Sequence, residues 1–162
     1  MSTRAGIGIR ENGYIRLIYC HSDGYPEHLG VILNAHYTYV SKVRKLIALG
    51  DISVLGERVE PIDPTNHTFN RPEPGTTVAY HRDRGEPKRK AFRFEENKIN
   101  EIDFSELDFI YVYDVITKEW LTLRIELDSK YNVNLRPWNT DYDMLIDMAI
   151  EDKRISKPRG WK

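Results

Sequence analysis

The chain has 162 residues, 40% of them hydrophobic and 30% charged, and a formal net charge of -1. This length and apolar content suit one soluble globular domain with a core of its own and exclude a globally disordered chain. The near balance of charge argues against a duplex-DNA binder, which would show a basic face, although sixteen of the 24 Lys and Arg fall in the second half of the chain.

The first pattern is an alternating run over residues 4–10, with Ala5, Ile7 and Ile9 on one side. A second apolar run covers residues 14–20. Asn12-Gly13 lies between them, and both residues accept positive φ, so a β-hairpin is expected. The chain then turns through Ser22-Asp23-Gly24-Tyr25-Pro26. Proline suits a first helical turn, and Asp23 or Ser22 can accept from free amides there. A helix from about Pro26 to Tyr37 follows, with Leu29, Ile32, Leu33 and His36 at helical spacing. A second helix, capped by Thr38 or Ser41, carries Val43, Leu46, Ile47 and Leu49 and stops at Gly50. Asp51 to Asn70 reads as irregular.

Residues 76–80 read as a strand, and His81 to Lys90 is too charged for a core, so loop or edge is expected. Ala91 to Phe94 forms a short strand and Phe104 to Leu107 a single helical turn. Phe109 to Val115 is the richest run of β-branched and aromatic residues. Trp120 to Leu123 is its partner. Residues 124–162 read as an extension, with a helix over Asp141 to Glu151 and a basic tail. The expected architecture is α+β. An antiparallel sheet of about five strands carries one or two helices on one face, with a core domain over 1–123 and a C-terminal helical extension over 124–162. One cysteine excludes an intrachain disulfide. The N-terminus shows no apolar signal region and no run reaches membrane-spanning length, so a cytoplasmic protein is expected.

Two polar stretches hold most of the site chemistry. The first, Cys20 to His28, offers His21, Tyr25 and His28. Cys20, His21, Asp23 and His28 match no standard zinc spacing, and a strand end turns Cys20 and His21 to opposite faces, so no metal is expected and Cys20 reads as a small buried hydrophobe. A Cys20–His81 nucleophile pair has no support in the spacing. The second stretch, Tyr80-His81-Arg82-Asp83-Arg84-Gly85-Glu86, reads either as a solvated salt-bridge loop or as a phosphate grip. In the second reading alternation puts Arg82 and Arg84 on one side of an extended strand end, where two guanidinium forks can hold phosphate oxygens. Arg4 adds a third cation. The Lys88-Arg89-Lys90 run reads as an edge guard.

The opening Ser2-Thr3-Arg4, the run Ile18-Tyr19-Cys20-His21-Ser22-Asp23-Gly24-Tyr25-Pro26-Glu27, the run Leu46 to Gly56, and Val78-Ala79-Tyr80-His81-Arg82-Asp83-Arg84-Gly85-Glu86 together resemble a widespread group of small phage and prophage proteins. The resemblance covers roughly residues 1–123. Ser22 departs from it, standing where an aromatic residue is expected. Small phage proteins of this kind include anti-defence sponges, which bind cyclic nucleotide signals such as the cyclic GMP-AMP of CBASS immunity without cleaving them. The resemblance thus implies a non-enzymatic nucleotide-binding protein of the infected bacterial cytoplasm.

The expected function is therefore sequestration of a nucleotide-derived ligand by a homo-oligomer, with no cofactor, no membrane and no duplex nucleic acid. Arg4, His21, Tyr25, His28, Tyr80, His81, Arg82 and Arg84 are the expected ligand-binding residues. Tyr25, His28, Arg82 and Arg84 are expected to line one pocket, with Arg4 nearby. The rivals are a nucleotide hydrolase using His21, His81 and Asp23 or Asp83, and a protein-interaction inhibitor of a host enzyme.

Overall fold

The computed structural model describes residues 2–162. In chain order the strands are β1 (Ala5–Glu11), β2 (Tyr14–Cys20), β3 (Ile52–Val54), β4 (Val78–Ala79), β5 (Phe92–Glu95), β6 (Phe109–Asp114), β7 (Glu119–Leu127) and β8 (Val133–Pro137). The α-helices are α1 (Val31–His36), α2 (Val40–Ala48), α3 (Tyr80–Arg84) and α4 (Tyr142–Glu151). The protein is α+β.

The expected hairpin forms. Asn12 (φ 53°) and Gly13 (φ 79°) both take the left-handed region, which matches the twist of two antiparallel strands. β1 and β2 pair from Ala5–Cys20 to Glu11–Tyr14. On its other side β1 pairs with β6, so the hairpin and the richest β-forming run share one sheet.

That sheet has eight strands, in the order β4-β3-β2-β1-β6-β7-β8, with β5 pairing with β2 off this path. It is larger than the five strands expected and not wholly antiparallel. β1 runs parallel to β6, and β2 parallel to β3. Parallel pairing needs a long crossover, which α1 and α2 provide between β2 and β3. The expected boundary after residue 123 falls inside β7, whose hydrogen bonds run on without a break into β8.

Side-chain alternation builds two apolar layers. Ile7, Ile9, Ile18, Cys20, Tyr111 and Tyr113 face α1 and α2, which contribute Ile32, Leu33, Val43 and Leu46. On the opposite face, Ile15, Leu17, Ile110, Val112 and Leu123 pack with Phe94 and Phe104. The helical layer thus covers one face, and the chain between β5 and β6 covers the other. α4 packs on α1 through Ile146, Ala149, Val31 and Ala35. No helix among the described residues is long and apolar enough to cross a membrane.

Several local expectations are corrected. The helix expected from Pro26 does form, as a π-helical Pro26–Gly30 turn continued by α1, but neither Ser22 nor Asp23 caps it. Asp23 instead sits in the left-handed region at φ 56°. α2 starts after Tyr39, also without a side-chain cap, so neither Thr38 nor Ser41 serves as one. Phe104 to Leu107 is a tight turn closed by one hydrogen bond of 2.9 Å, not a helical turn. His81 to Arg84 is helical rather than extended. α3 ends at Gly85, whose φ of 73° is easy for glycine.

Candidate functional site

The site is organised by Asp51, the residue before β3. Its carboxylate accepts from the Tyr19 amide at 3.0 Å. Its carbonyl accepts from the Tyr80 amide at 3.3 Å. One residue therefore holds the end of β2 beside the start of α3. Tyr19 and His21 share one side of the strand end, two residues apart, and the Tyr19 hydroxyl lies 2.8 Å from His21 Nδ1. Burial raises the Tyr19 pKa, while the positive charge of Arg4 opposes that rise.

A cavity of ≈ 290 Å³ opens there, lined by Tyr19, Asp51, Tyr80, His81, Arg84 and Arg89. A second cavity of ≈ 300 Å³ adjoins it, sharing Tyr19, Asp51 and Arg89 and adding Lys90, Phe92 and Phe104. The two cavities lie side by side, with Tyr19, Asp51 and Arg89 common to both, and are together called the groove.

Arg84 is held in place before any ligand arrives. Its guanidinium carbon lies 4.4 Å from the centre of the Phe69 ring and 4.9 Å from that of Tyr80. The two rings are themselves 5.5 Å apart, and Glu86 pairs with the guanidinium at 2.5 Å. Stacking restricts the planar cation, and Glu86 takes both its Nε (2.7 Å) and its Nη2, so Nη1 is the remaining donor edge. His81 Nδ1 lies 2.6 Å from the Glu86 carbonyl. A carbonyl only accepts, so Nδ1 carries the proton.

Arg82 does not join this groove. It donates to the carbonyls of Val59 (2.7 Å) and Thr77 (2.6 Å) and pairs with Asp83 at 2.8 Å. Asp83 also accepts from the Ala79 amide at 2.8 Å and lies 3.0 Å from His67 Nε2. His67 Nδ1 accepts from the Glu73 amide, so Nε2 bears the proton; it faces the Asp83 carboxylate without the alignment of a hydrogen bond. Burial opposes ionisation of Asp83, but Arg82, the Ala79 amide and His67 outweigh it and hold the carboxyl below its ordinary range. Nδ1 is committed to the Glu73 amide, and both side chains of this His–Asp pair are almost fully buried, away from the groove. The grip expected of Arg82 and Arg84 acting together depended on an extended strand. In a helix these residues project differently, and Arg82 turns inward.

The first polar stretch also divides. The tyrosine and histidine rings of Tyr25 and His28 lie 6.0 Å apart. Tyr25 is 39% exposed and lines neither half of the groove. His28 lines a separate cavity bounded by the C-terminal segment. The reason is topological. β3 is parallel to β2 and antiparallel to β4. β2 and β4 therefore run in opposite directions, and the chain leaves them toward opposite ends of the sheet. The single pocket expected for Tyr25, His28, Arg82 and Arg84 is not formed. The groove unites Tyr80, His81 and Arg84, with His21 and Arg4 acting on Tyr19, which both cavities share.

Tyr19, Asp51, Phe69, Arg89 and Lys90 are the residues that sequence reasoning missed, the last two reading in the sequence as part of an edge guard. Tyr19 has a legible signal, its spacing of two from His21. Phe69 lies in an irregular segment without pattern.

Arg84, Arg89 and Lys90 supply cations, Tyr80 and Phe92 supply aromatic rings, and Asp51 and His81 supply polar edges. Cys20 is fully buried on the opposite face, and burial pushes its thiol up to about 12. No group of three or more His, Cys, Asp or Glu among the described residues is arranged to hold a metal ion. Comparison with protein-family models, curated proteins and solved structures finds no match to this chain.

Proposed function

We propose that this protein sequesters a phosphate-bearing nucleotide signal, of the cyclic dinucleotide class exemplified by cyclic GMP-AMP, and holds it without cleaving it. The observation that carries this reading is the groove of two adjoining cavities that share Arg89 and Tyr19. A dinucleotide offers two flat bases separated by phosphates. The cavities offer aromatic rings, and the shared Arg89 offers a guanidinium. Base stacking contributes about 1–3 kcal/mol per base in single-strand binders. A charge-assisted hydrogen bond contributes about 1.5–3 kcal/mol. Arg84, already stacked, loses little side-chain freedom on binding.

The phage-like motifs agree with an anti-defence role in the cytoplasm of an infected bacterial cell. The groove is open along its length. A second copy lying over it would supply the enclosure that tight sequestration needs, so the working form is a homo-oligomer.

The test is to incubate the protein with cyclic GMP-AMP, remove free ligand, denature the complex and analyse what is released. Intact ligand in stoichiometric amount supports sequestration, and altered ligand would make the protein a hydrolase. Absence of retained ligand would overturn nucleotide binding and favour a protein-interaction role. Arg84→Ala and Arg89→Ala should each weaken retention about tenfold or more, as loss of one charge-assisted contact predicts.

A further inference from the structure

The largest cavity described, ≈ 710 Å³, plays no part in this reading. It lies where the segment after α4 crosses the connection between β3 and β4. His28, Ile32, Val54 and Leu55 give one wall, Arg58 and residues 72–76 a second, and residues 153–157 a third.

Two buried polar atoms of residues lining this cavity, His28 Nε2 and Arg58 Nε, have no hydrogen-bond partner. Folded proteins leave few such groups unpaired, and each calls for a ligand or an ordered water. The carboxylates nearby are already committed. Glu73 accepts from the amides of Ile62 (2.8 Å) and Asp63 (2.9 Å), from the Thr76 hydroxyl (2.9 Å) and from Arg58 (3.1 Å). Those donors hold its pKa down at about 2. Glu57 accepts from the Ser156 amide and lies 3.5 Å from His36 Nε2.

The cations at the mouth are less engaged. Arg154 is 3.6 Å from Asp152, and Lys153 and Lys157 are exposed. Lys153 also holds an unusual place. The Arg154 amide donates to the Ala149 carbonyl (2.9 Å) and the Lys153 amide to the Ile150 carbonyl (3.0 Å), which is a Schellman motif. Its left-handed position, normally glycine, is Lys153 at φ 59°. The fold thus sets a lysine, in a backbone conformation that disfavours it, at the rim of this cavity.

We infer that this cavity is a second site, separate from the groove, for a small organic phosphate. Its phosphoryl oxygens would be met by Arg58, Lys153 and Lys157. His28 Nε2 would satisfy a polar group of the ligand, and Ile32, Val54 and Leu55 would face its apolar part. The volume lies within the range of small-molecule pockets and exceeds what a bare phosphate fills.

The test uses the full ¹⁵N-labelled chain carrying Arg84→Ala and Arg89→Ala, so that the groove is disabled. Adenosine monophosphate is titrated while the His28 ring nitrogens and Arg58 Nε are followed by NMR. Saturable shifts at both residues are expected. A further Lys153→Ala/Lys157→Ala change, at exposed positions whose loss leaves the remaining spectrum intact, should weaken them at least tenfold. Binding at least tenfold tighter than inorganic phosphate supports an organic ligand, and equal affinity overturns that assignment. Unmoved His28 and Arg58 signals would show that the cavity holds water only. Shifts indifferent to the lysine changes would place the anion elsewhere. Either result overturns the site.

Discussion

The Arg82 guanidinium donates to the Thr77 carbonyl at 2.6 Å, joining α3 back to the residue before its own β4. With the bond to Val59, it fastens three segments that have little regular structure of their own. Arg82→Ala should therefore destabilise the fold, by about 1.5–3 kcal/mol for a charge-assisted contact of this kind. Arg82→Lys should recover little, since a point charge cannot reproduce the planar fork. Urea denaturation measures both. Parent-like stability in the alanine variant would mean that the network is dispensable.

Tyr111 performs the equivalent task for the first polar stretch. From the middle of β6 its hydroxyl donates to the Gly24 carbonyl at 2.7 Å. Tyr111→Phe removes the donor and leaves a buried carbonyl unsatisfied, at a cost of about 1–3 kcal/mol. Gly24→Ala should be harmful for a steric reason. A Cβ at this position would lie 2.8 Å from the Ala5 Cβ and 2.9 Å from the Thr3 carbonyl. Thermal melts of the two variants should both shift downward, and a phenylalanine variant with unchanged Tm would refute the role given to the hydroxyl.

Cys20 should be chemically silent. A fully buried thiol pushed up to about 12 carries almost no thiolate at pH 8. A thiol reagent should leave the native protein unlabelled and add one equivalent in denaturant. Cys20→Ser should cost about 1–3 kcal/mol, as a hydroxyl is less at home in this apolar layer. Full labelling of the native protein within minutes would contradict this burial.

The hydrogen-bonded carboxylate of Glu73 gives stability a pH dependence. Its folded pKa is depressed to about 2 from an ordinary value of 4.5. A depressed carboxylate stabilises the folded state fully above its unfolded pKa, and the contribution fades as pH falls toward the folded value. Glu73→Gln should lower Tm at pH 7. Melts recorded between pH 7 and pH 2 should show parent and variant converging below about 4.5, the ordinary value. A constant gap across that range would assign the effect to packing.

Much of the sheet was legible because its signals are local. Asn12-Gly13 encodes a turn, and Phe109 to Asp114 encodes a strand that little else could be. The three-residue β3 and two-residue β4 carry too few residues to show a period, yet they decide which way the chain leaves the sheet. The site was half legible for the same reason. Tyr80, His81 and Arg84 belong together because they are near in sequence. Arg82 and Arg84 parted because α3, a five-residue helix, replaced the strand that alternation suggested. His28 and Arg84 parted because strand direction is a tertiary property, set by how α1 and α2 return the chain to β3.

The position of β1 has a consequence for how the protein is made. β1 is an interior strand, yet its partner on one side is β6, and Arg10 pairs with Asp114 across 104 residues of sequence. During synthesis the hairpin leaves the ribosome well before β6 and can close at once on its own turn. Its second edge then waits while about 100 further residues are translated, several seconds at ordinary elongation rates. Through that interval a nearly continuous apolar strand has one row of backbone groups without its final partner. Nascent chains of this protein are therefore most exposed to mispairing, and to chaperone capture, before β6 emerges.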